Sequence, residues 1–456
     1  MVLDKINRVH FIGAGGISMS SLAKLMLMKG KKVTGSDLSY SAEVVTLNQW
    51  GADIWIGHEP KKVLGADLVV YTMAIPDTDE ELIFARENGI PTVARHMFLK
   101  EISYEYETVI AVAGTHGKTT ATGMIASVLN LSGLPFTAHI GGNIAGGIGN
   151  MIFKGNRYFV TEACEYKKSL LQALPDIAII LNVEEDHPDT YATVGELYDT
   201  FDKFVGGIKQ DGSLIIFGDS EYYQMMKCTP EHMITYGYEG TLTYVPMHIT
   251  EHKLGCYKFI ICHNGEPECE VTLNVAGKHN IYNALASYAS LRRIGIEPEV
   301  IAKGLKAFKG VERRFELKGE INGAQVIVDY AHHPREISAT VATALSFKPK
   351  KLITVFQPHT FSRTKKFFHE FIKSLEESGV LHMFKEYPAR ENISAGASAK
   401  ELFVGIVASG KQDASYFDNT IDIATEIMRT AERGDIVLIL GAGDIVNLAD
   451  VLVERY

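Results

Sequence analysis

The sequence predicts an α/β chain of three domains. Three observations carry that expectation. The length of 456 residues exceeds what one ordinary core accommodates. Apolar, strand-sized runs end again and again in glycine or polar residues, and helical stretches separate them, the alternation that builds parallel sheets. With 46% hydrophobic and 22% charged residues, the composition is that of a globular enzyme rather than a disordered chain. The points where the alternation restarts put the domains at 1–105, 106–312 and 313–456.

In the first domain, Asn7–Ile12 reads as a strand and runs into Gly13-Ala14-Gly15-Gly16-Ile17-Ser18. A helix follows through Leu22, Leu25 and Met26, and a second strand, Lys32–Ser36, ends at Asp37. This is the Rossmann-like layout, with an acidic residue placed for a ribose hydroxyl. Ser18 at the third glycine position makes it weak evidence for a dinucleotide.

The second domain opens on AVAGTHGKTT. Thr108–Ala113 is β-branched and apolar and feeds Gly114, Thr115, His116 and Gly117; Lys118, Thr119 and Thr120 then open an apolar helix. The general phosphate-loop pattern fails at Val112, where it asks for glycine. The physical requirements are nonetheless met: a strand, a tight turn, a lysine for phosphate charge, and a hydroxyl beside it for Mg²⁺ at a helix N-terminus. Two further strands deliver Glu162, then Asn182 with Glu185-Asp186-His187. Residues past carboxyl strand ends face the ligand crevice, which places Glu162 and His187 near the nucleotide's metal. A small β-rich section covers about 240–275. Gly277-Lys-His-Asn280-Ile-Tyr-Asn283 then opens a helix whose two asparagines, one turn apart, could read an adenine edge or cap the helix.

The third domain is again Rossmann-like. Its strands end at Asp329-Tyr330-Ala-His332-His333, at Gln357-Pro-His359-Thr-Phe-Ser-Arg363, and at Gly441-Ala-Gly443-Asp444. Such clusters suit the second half of an interdomain active site.

A net charge of −10 argues against a nucleic-acid surface, so any phosphate site must be built locally. The first residues lack the pattern of a secretory signal, and runs such as IAIILNV are too short to span a membrane; the expected location is cytoplasmic. Five cysteines without a C-x-x-C pair make a disulfide framework or zinc site unexpected. Cys256, Cys262 and Cys269 fit alternating strands better than metal ligation.

Together these sites suggest that ATP activates something carried by the first domain. Lys118, with Mg²⁺ held by Thr119, Glu162 and His187, would neutralise the γ-phosphate. A carboxylate would become an acyl phosphate, and an amine would attack it. Arg363 could hold the carboxylate of a small amino acid. A nicotinamide-dependent oxidoreductase is the rival reading and leaves Gly114–Thr120 unexplained. A plain ATP-driven switch leaves the carboxy-terminal His and Arg cluster unexplained.

GTHGKTT, TEACEY, NVEEDHPDTY, GKHNIYNALA, VERRFE, VDYAHHP and FQPHTFSRT, with FIGAGGISMSSLA and VTGSDLSYS, resemble in order the motifs of the Mur ligases, over essentially the whole chain. The resemblance implies ADP-forming ligation of L-alanine to the lactyl carboxylate of UDP-N-acetylmuramate in peptidoglycan precursor synthesis, with ATP and Mg²⁺. A murein tripeptide recycling ligase is the alternative within the family. By position it implies that Gly114–Thr120, His279, Asn280, Arg314 and Asp329 contact ATP, with Arg313 an alternative to Arg314. It puts Gly13–Ser18, Ser36 and Asp37 on the UDP-sugar, and Tyr330, His332, His359 and Arg363 on the amino acid, His332 with a catalytic part beside Lys118, Glu162 and His187. The expected assembly is a monomer or weak homodimer, with no nucleic-acid or membrane partner. Thr360 stands where many relatives have a second Arg, and E-A-C-E-Y-K-K replaces E-A-D-E-S-D, bringing Tyr166, Lys167 or Lys168 near substrate. Lys203, a candidate for carbamoylation, is more readily a surface residue.

Overall fold

The computed structural model describes residues 3–238, 240–389, 391, 396–410 and 413–453. The outer ends of the expected first and third domains therefore lie outside the described residues.

Three sheets organise these residues. The first runs in the order Asp53–Ile56, Lys32–Asp37, Arg8–Ile12, Leu68–Tyr71, Thr92–Ala94, all parallel. The strand before the glycine loop is thus central, and its carboxyl end lies where the strand order reverses, the place where such sheets bind ligands.

In the second sheet, the strand Thr108–Ala113 lies between Ile177–Ile180 and Tyr158–Ala163, parallel to both. Three strand ends, at Gly114, Asn182 and Glu162, therefore converge. The expected β-rich section is present as an antiparallel meander, Tyr244–Lys253, Cys256–His263 and Glu266–Thr272, at one end of this ten-stranded sheet. Its cysteines are free, and among the described residues no cluster of three His, Cys, Asp or Glu could hold a metal ion.

The third sheet has six strands and places Ala324–Asp329, Ile436–Leu440 and Leu352–Phe356 side by side and parallel, with Glu316–Ile321 antiparallel at one edge. Their ends bring Asp329, Gly441 and Gln357 together. Apolar clusters cover both faces of this sheet, as they do the central one.

One core crosses the expected boundary at residue 105. The helix Ile17–Met28 buries Met19, Leu22, Leu25 and Met26, and the cluster it joins includes Tyr106, Val109, Met151 and Phe159 of the central domain. Lys24 Nζ donates to Asn150 Oδ1 at 2.9 Å, and Asn150 Nδ2 donates to Ile17 O at 2.8 Å. A helix apolar on most faces needs cover on most faces, and two domains supply it. Among the described residues no helix is long and apolar enough to cross a membrane.

Candidate active site

The phosphate loop is shaped by two glycines and one asparagine. Gly117 has φ +85°, and a Cβ there would stand 2.5 Å from Asn283 Oδ1; Gly114 has φ +131°, with Asn182 O 2.9 Å from its missing Cβ. Both positions require glycine. Asn182 braces the turn: its carbonyl accepts from Thr115 N at 3.0 Å and its Oδ1 from His116 N at 2.7 Å. The helix Lys118–Ser132 starts at Gly117 with no side-chain cap, so its first N–H groups are free to meet an anion. Val112 lies fully buried in the preceding strand, upstream of the turn, and the departure from the general pattern leaves the loop geometry untouched.

Two cavities open at these strand ends, the smaller of them onto this loop. The larger, about 850 Å³, is lined by Gly13, Gly15, Gly16, Ile17, Ser18, Ser36 and Asp37 of the first domain and reaches Glu162 and Cys164. Ala14 does not line it; that side chain is fully buried against Gly35. Asp37 Oδ2 accepts from Gly15 N at 2.8 Å, so the acidic residue braces the glycine loop. Ser36 lines the cavity but has its hydroxyl turned onto buried Glu81. Ser18 Oγ hydrogen-bonds His139 Nε2 at 2.8 Å and accepts from Arg95 at 3.0 Å, a junction between the first two domains that no sequence motif indicated.

The smaller cavity, about 320 Å³, lies between the central and third domains. His116, Gly117, Thr120, His279, Asn280, Asn283, Arg314 and Asp329 line it. Asn283 donates to Asn280 Oδ1 at 2.9 Å, so the two amides do share a face. Of the paired arginines, Arg314 lines this cavity, whereas Arg313 donates to Gly443 O at 3.2 Å. The Asp329 carboxylate accepts from Phe315 N and Ala331 N at 2.7 Å each and so fixes the turn that presents Arg314. Burial pushes its pKa up to about 6.

Lys118 donates to the carbonyls of Gly114 and Thr115 and pairs with Glu165 at 3.0 Å. Burial pushes the Lys118 ammonium down, and the Glu165 charge outweighs this and leaves it raised. His187 Nε2 lies 3.5 Å from the same carboxylate. Glu165, inside TEACEY yet passed over in favour of its neighbours, therefore links Lys118 to His187. Its signal was the E-x-x-E spacing across a strand end. Glu162 instead accepts from Gly141 N at 2.6 Å, and Thr119 is buried beside the loop. Of the three residues after Glu165, Tyr166 sets its ring 5.1 Å from that of His187, and Lys167 reaches Met73 O at 3.3 Å. Lys203 is exposed.

In the third domain, the ring of His332 lies 5.3 Å from that of Tyr330 and 5.6 Å from that of His359, which in turn stacks on Tyr387. Burial pushes His332 down to about 4 and His359 to about 3, so both are neutral at pH 7. Arg363 is committed to a protein carboxylate: its Nε and Nη2 donate to Asp186 Oδ1 at 3.2 and 3.0 Å, and its Nη1 lies 3.2 Å from His359 Nδ1. Burial raises the Asp186 pKa, but Arg363 with His187 outweighs it and holds the carboxyl well below the usual range. Thr360, which precedes the helix Phe361–Lys366, has φ +67°, a strained value for a β-branched residue.

The three consecutive acids of NVEEDH each take one base of the third domain: Glu184 pairs with Arg335 at 2.5 Å, Glu185 with Lys366 at 2.7 Å, and Asp186 with Arg363. Beside them His116 bridges Glu336 (2.9 Å) and Glu184 (3.4 Å). Burial pushes His116 down, and the two carboxylates outweigh it and raise its pKa to about 9.

Comparison with known proteins identifies the family of all three domains. Residues 8–107 match the model of the Mur ligase family catalytic domain, 112–291 the Mur ligase middle domain, and 313–443 the Mur ligase glutamate ligase domain. The chain is 40% identical over 454 residues to a UDP-N-acetylmuramate–L-alanine ligase of Caldanaerobacter subterraneus subsp. tengcongensis, covering 99% of this chain and 98% of the relative. Among solved structures, a UDP-N-acetylmuramate-alanine ligase of Thermotoga maritima superposes with a TM-score of 0.85 at 28% identity, covering 98% and 99% of the two chains. A murein peptide ligase of Psychrobacter arcticus shares the fold, with a TM-score of 0.76 at 24% identity over 98% of each chain. The oxidoreductase reading of the first glycine loop falls with these matches, and the chain belongs to the Mur ligase family.

Proposed function

We propose that this chain joins L-alanine to the lactyl carboxylate of UDP-N-acetylmuramate, with conversion of ATP to ADP and phosphate. The observation that carries the reading is a pair of cavities at neighbouring strand ends, the smaller lined by the phosphate loop and the larger reaching Glu162 on the adjacent strand. The larger one has the volume and the uncapped helix start at Gly16 suited to a sugar nucleotide's diphosphate. The smaller has the asparagine amides and Arg314 suited to ATP. In the reaction a carboxylate oxygen attacks the γ-phosphorus and ADP leaves; the amine nitrogen then attacks the acyl carbon, phosphate leaves, and the amine proton is lost to solvent or base.

Lys118 supplies positive charge beside the transferring phosphoryl group, and the free N–H groups of its helix orient the phosphates. Thr119, Glu162 and His187 are the residues that would hold Mg²⁺. Few protein ligands suit this ion, which takes much of its shell from phosphate oxygens and water. When bound, it would withdraw charge from the γ-phosphate. Tyr330, His332, His359 and Arg363 form the amino-acid end. Neutral His332, its Nδ1 3.0 Å from Tyr330 O, is available to orient or accept a proton from the amine.

Phosphate release is measured with UDP-N-acetylmuramate and ATP across a panel of amino acids and the murein tripeptide. Release with L-alanine alone is expected. Preference for the tripeptide would transfer the chain to the recycling activity, and release without any amine would sink ligation altogether.

A further inference from the structure

Glu165 has no part in the roles above, yet it is the charged partner of the phosphate-loop lysine. Its side chain is 2% exposed, with Lys118 Nζ 3.0 and 3.2 Å from its two oxygens and His187 Nε2 3.5 Å away. The turn that carries it is held from several sides. Tyr191 Oη donates to Glu165 O at 2.6 Å and Lys168 N donates to it at 2.8 Å, while Ser169 Oγ and Leu170 N each donate to Cys164 O at 2.8 Å. Lys167 and Lys168 both have positive φ, 48° and 57°, a cost that persists only where the surroundings fix the backbone. The carboxylate is thus built into its position. The other acceptors on Lys118 are neutral carbonyls, so Glu165 alone among these partners neutralises the ammonium.

A phosphate arriving at the uncapped start of the Lys118 helix needs the same ammonium. Two anions held side by side in a poorly solvated site repel each other. We propose that Glu165 is the resting counter-ion of Lys118 and that the terminal phosphate of bound nucleotide takes its place, which makes Glu165 a positioning residue that sets how tightly nucleotide is held. This rests on the ATP reading of the smaller cavity. After the exchange the carboxylate keeps His187 as its neighbour.

The test is calorimetric binding of ATP to the full chain without divalent metal. Glu165→Gln keeps the shape of the side chain and removes the competing charge, so it should bind ATP about tenfold more tightly than the parent protein. Glu165→Asp, with its carboxylate one methylene shorter, should fall between the two and carries the test if the glutamine variant does not fold. In a Lys118→Ala background, Glu165→Gln should change nothing, because the competition has no object. Unchanged or weaker ATP binding by Glu165→Gln would overturn the proposal while leaving the ligase reading intact. Failure of the parent protein to bind ATP at all would overturn both.

Discussion

The two cations expected to meet substrate are each held by a buried carboxylate, and they differ in where that carboxylate comes from. Lys118 pairs with Glu165, a residue of its own domain, and the lysine side chain is 14% exposed. Arg363 pairs with Asp186 across the domain boundary, and both side chains are 7% exposed or less. The pair at the phosphate loop is therefore complete within the central domain, although Arg314 and Asp329 of the third domain also line the smaller cavity. The amino-acid end is assembled only when the third domain is docked, because its arginine is oriented by a residue 177 positions away in sequence. A domain that withdraws takes the arginine with it and leaves the lysine in place.

The sharpest way to break this contrast is Arg363→Ala. It strands Asp186 in a desolvated site, and losing one partner of a buried pair costs about 3–5 kcal/mol. Docking of the third domain should weaken by that order, and the KM for the amino acid should rise far more than the KM for ATP. Equal effects on both would show that the two ends are not independent. Lys118→Ala should lower turnover about 10²-fold or more while leaving the third domain docked, as small-angle scattering would report. Near-normal turnover would remove the lysine from the reaction.

A smaller effect is expected from pH. His116 is raised in the folded protein from 6.5 to about 9, so the stability it lends to the contact with Glu336 is full below about pH 6.5 and is lost as pH rises through about 9. Docking should loosen over that window, and His116→Gln should flatten the dependence of the third domain's thermal midpoint on pH. Least of all should come from Lys366→Ala. Its pair with Glu185 is in the same row as Asp186–Arg363, but the carboxylate is 43% exposed, and such pairs are worth about 0–1 kcal/mol. A loss comparable to that of Arg363→Ala would mean that the acidic row acts as one unit.

Strand ends were the most legible part of this molecule. Hydrophobic runs and glycines report local conformation, so Gly13–Ser18, Gly114–Thr120 and the position of Asn182 could be placed from their own neighbourhoods. Partnerships across domains could not. Nothing near Arg363 announces Asp186, and nothing near Ser18 announces Arg95 or His139, because periodicity carries no information about which strand end faces which. Glu165 failed for a different reason. It lay within a recognised motif, but its direction depends on a turn with two positive φ values at lysines, a conformation that their residue type does not suggest.

The apolar core shared by the helix Ile17–Met28 with Met151 and Phe159 bears on how the chain comes apart. A sheet that shares its core with a neighbour cannot melt without exposing that neighbour, whereas a domain joined mainly through a row of ion pairs can separate at little hydrophobic cost. Three sheets thus amount to two cooperative units, one spanning the first two domains and one formed by the third. On heating, the larger unit would lose the larger cavity and the phosphate loop in a single transition, and the smaller would melt on its own schedule.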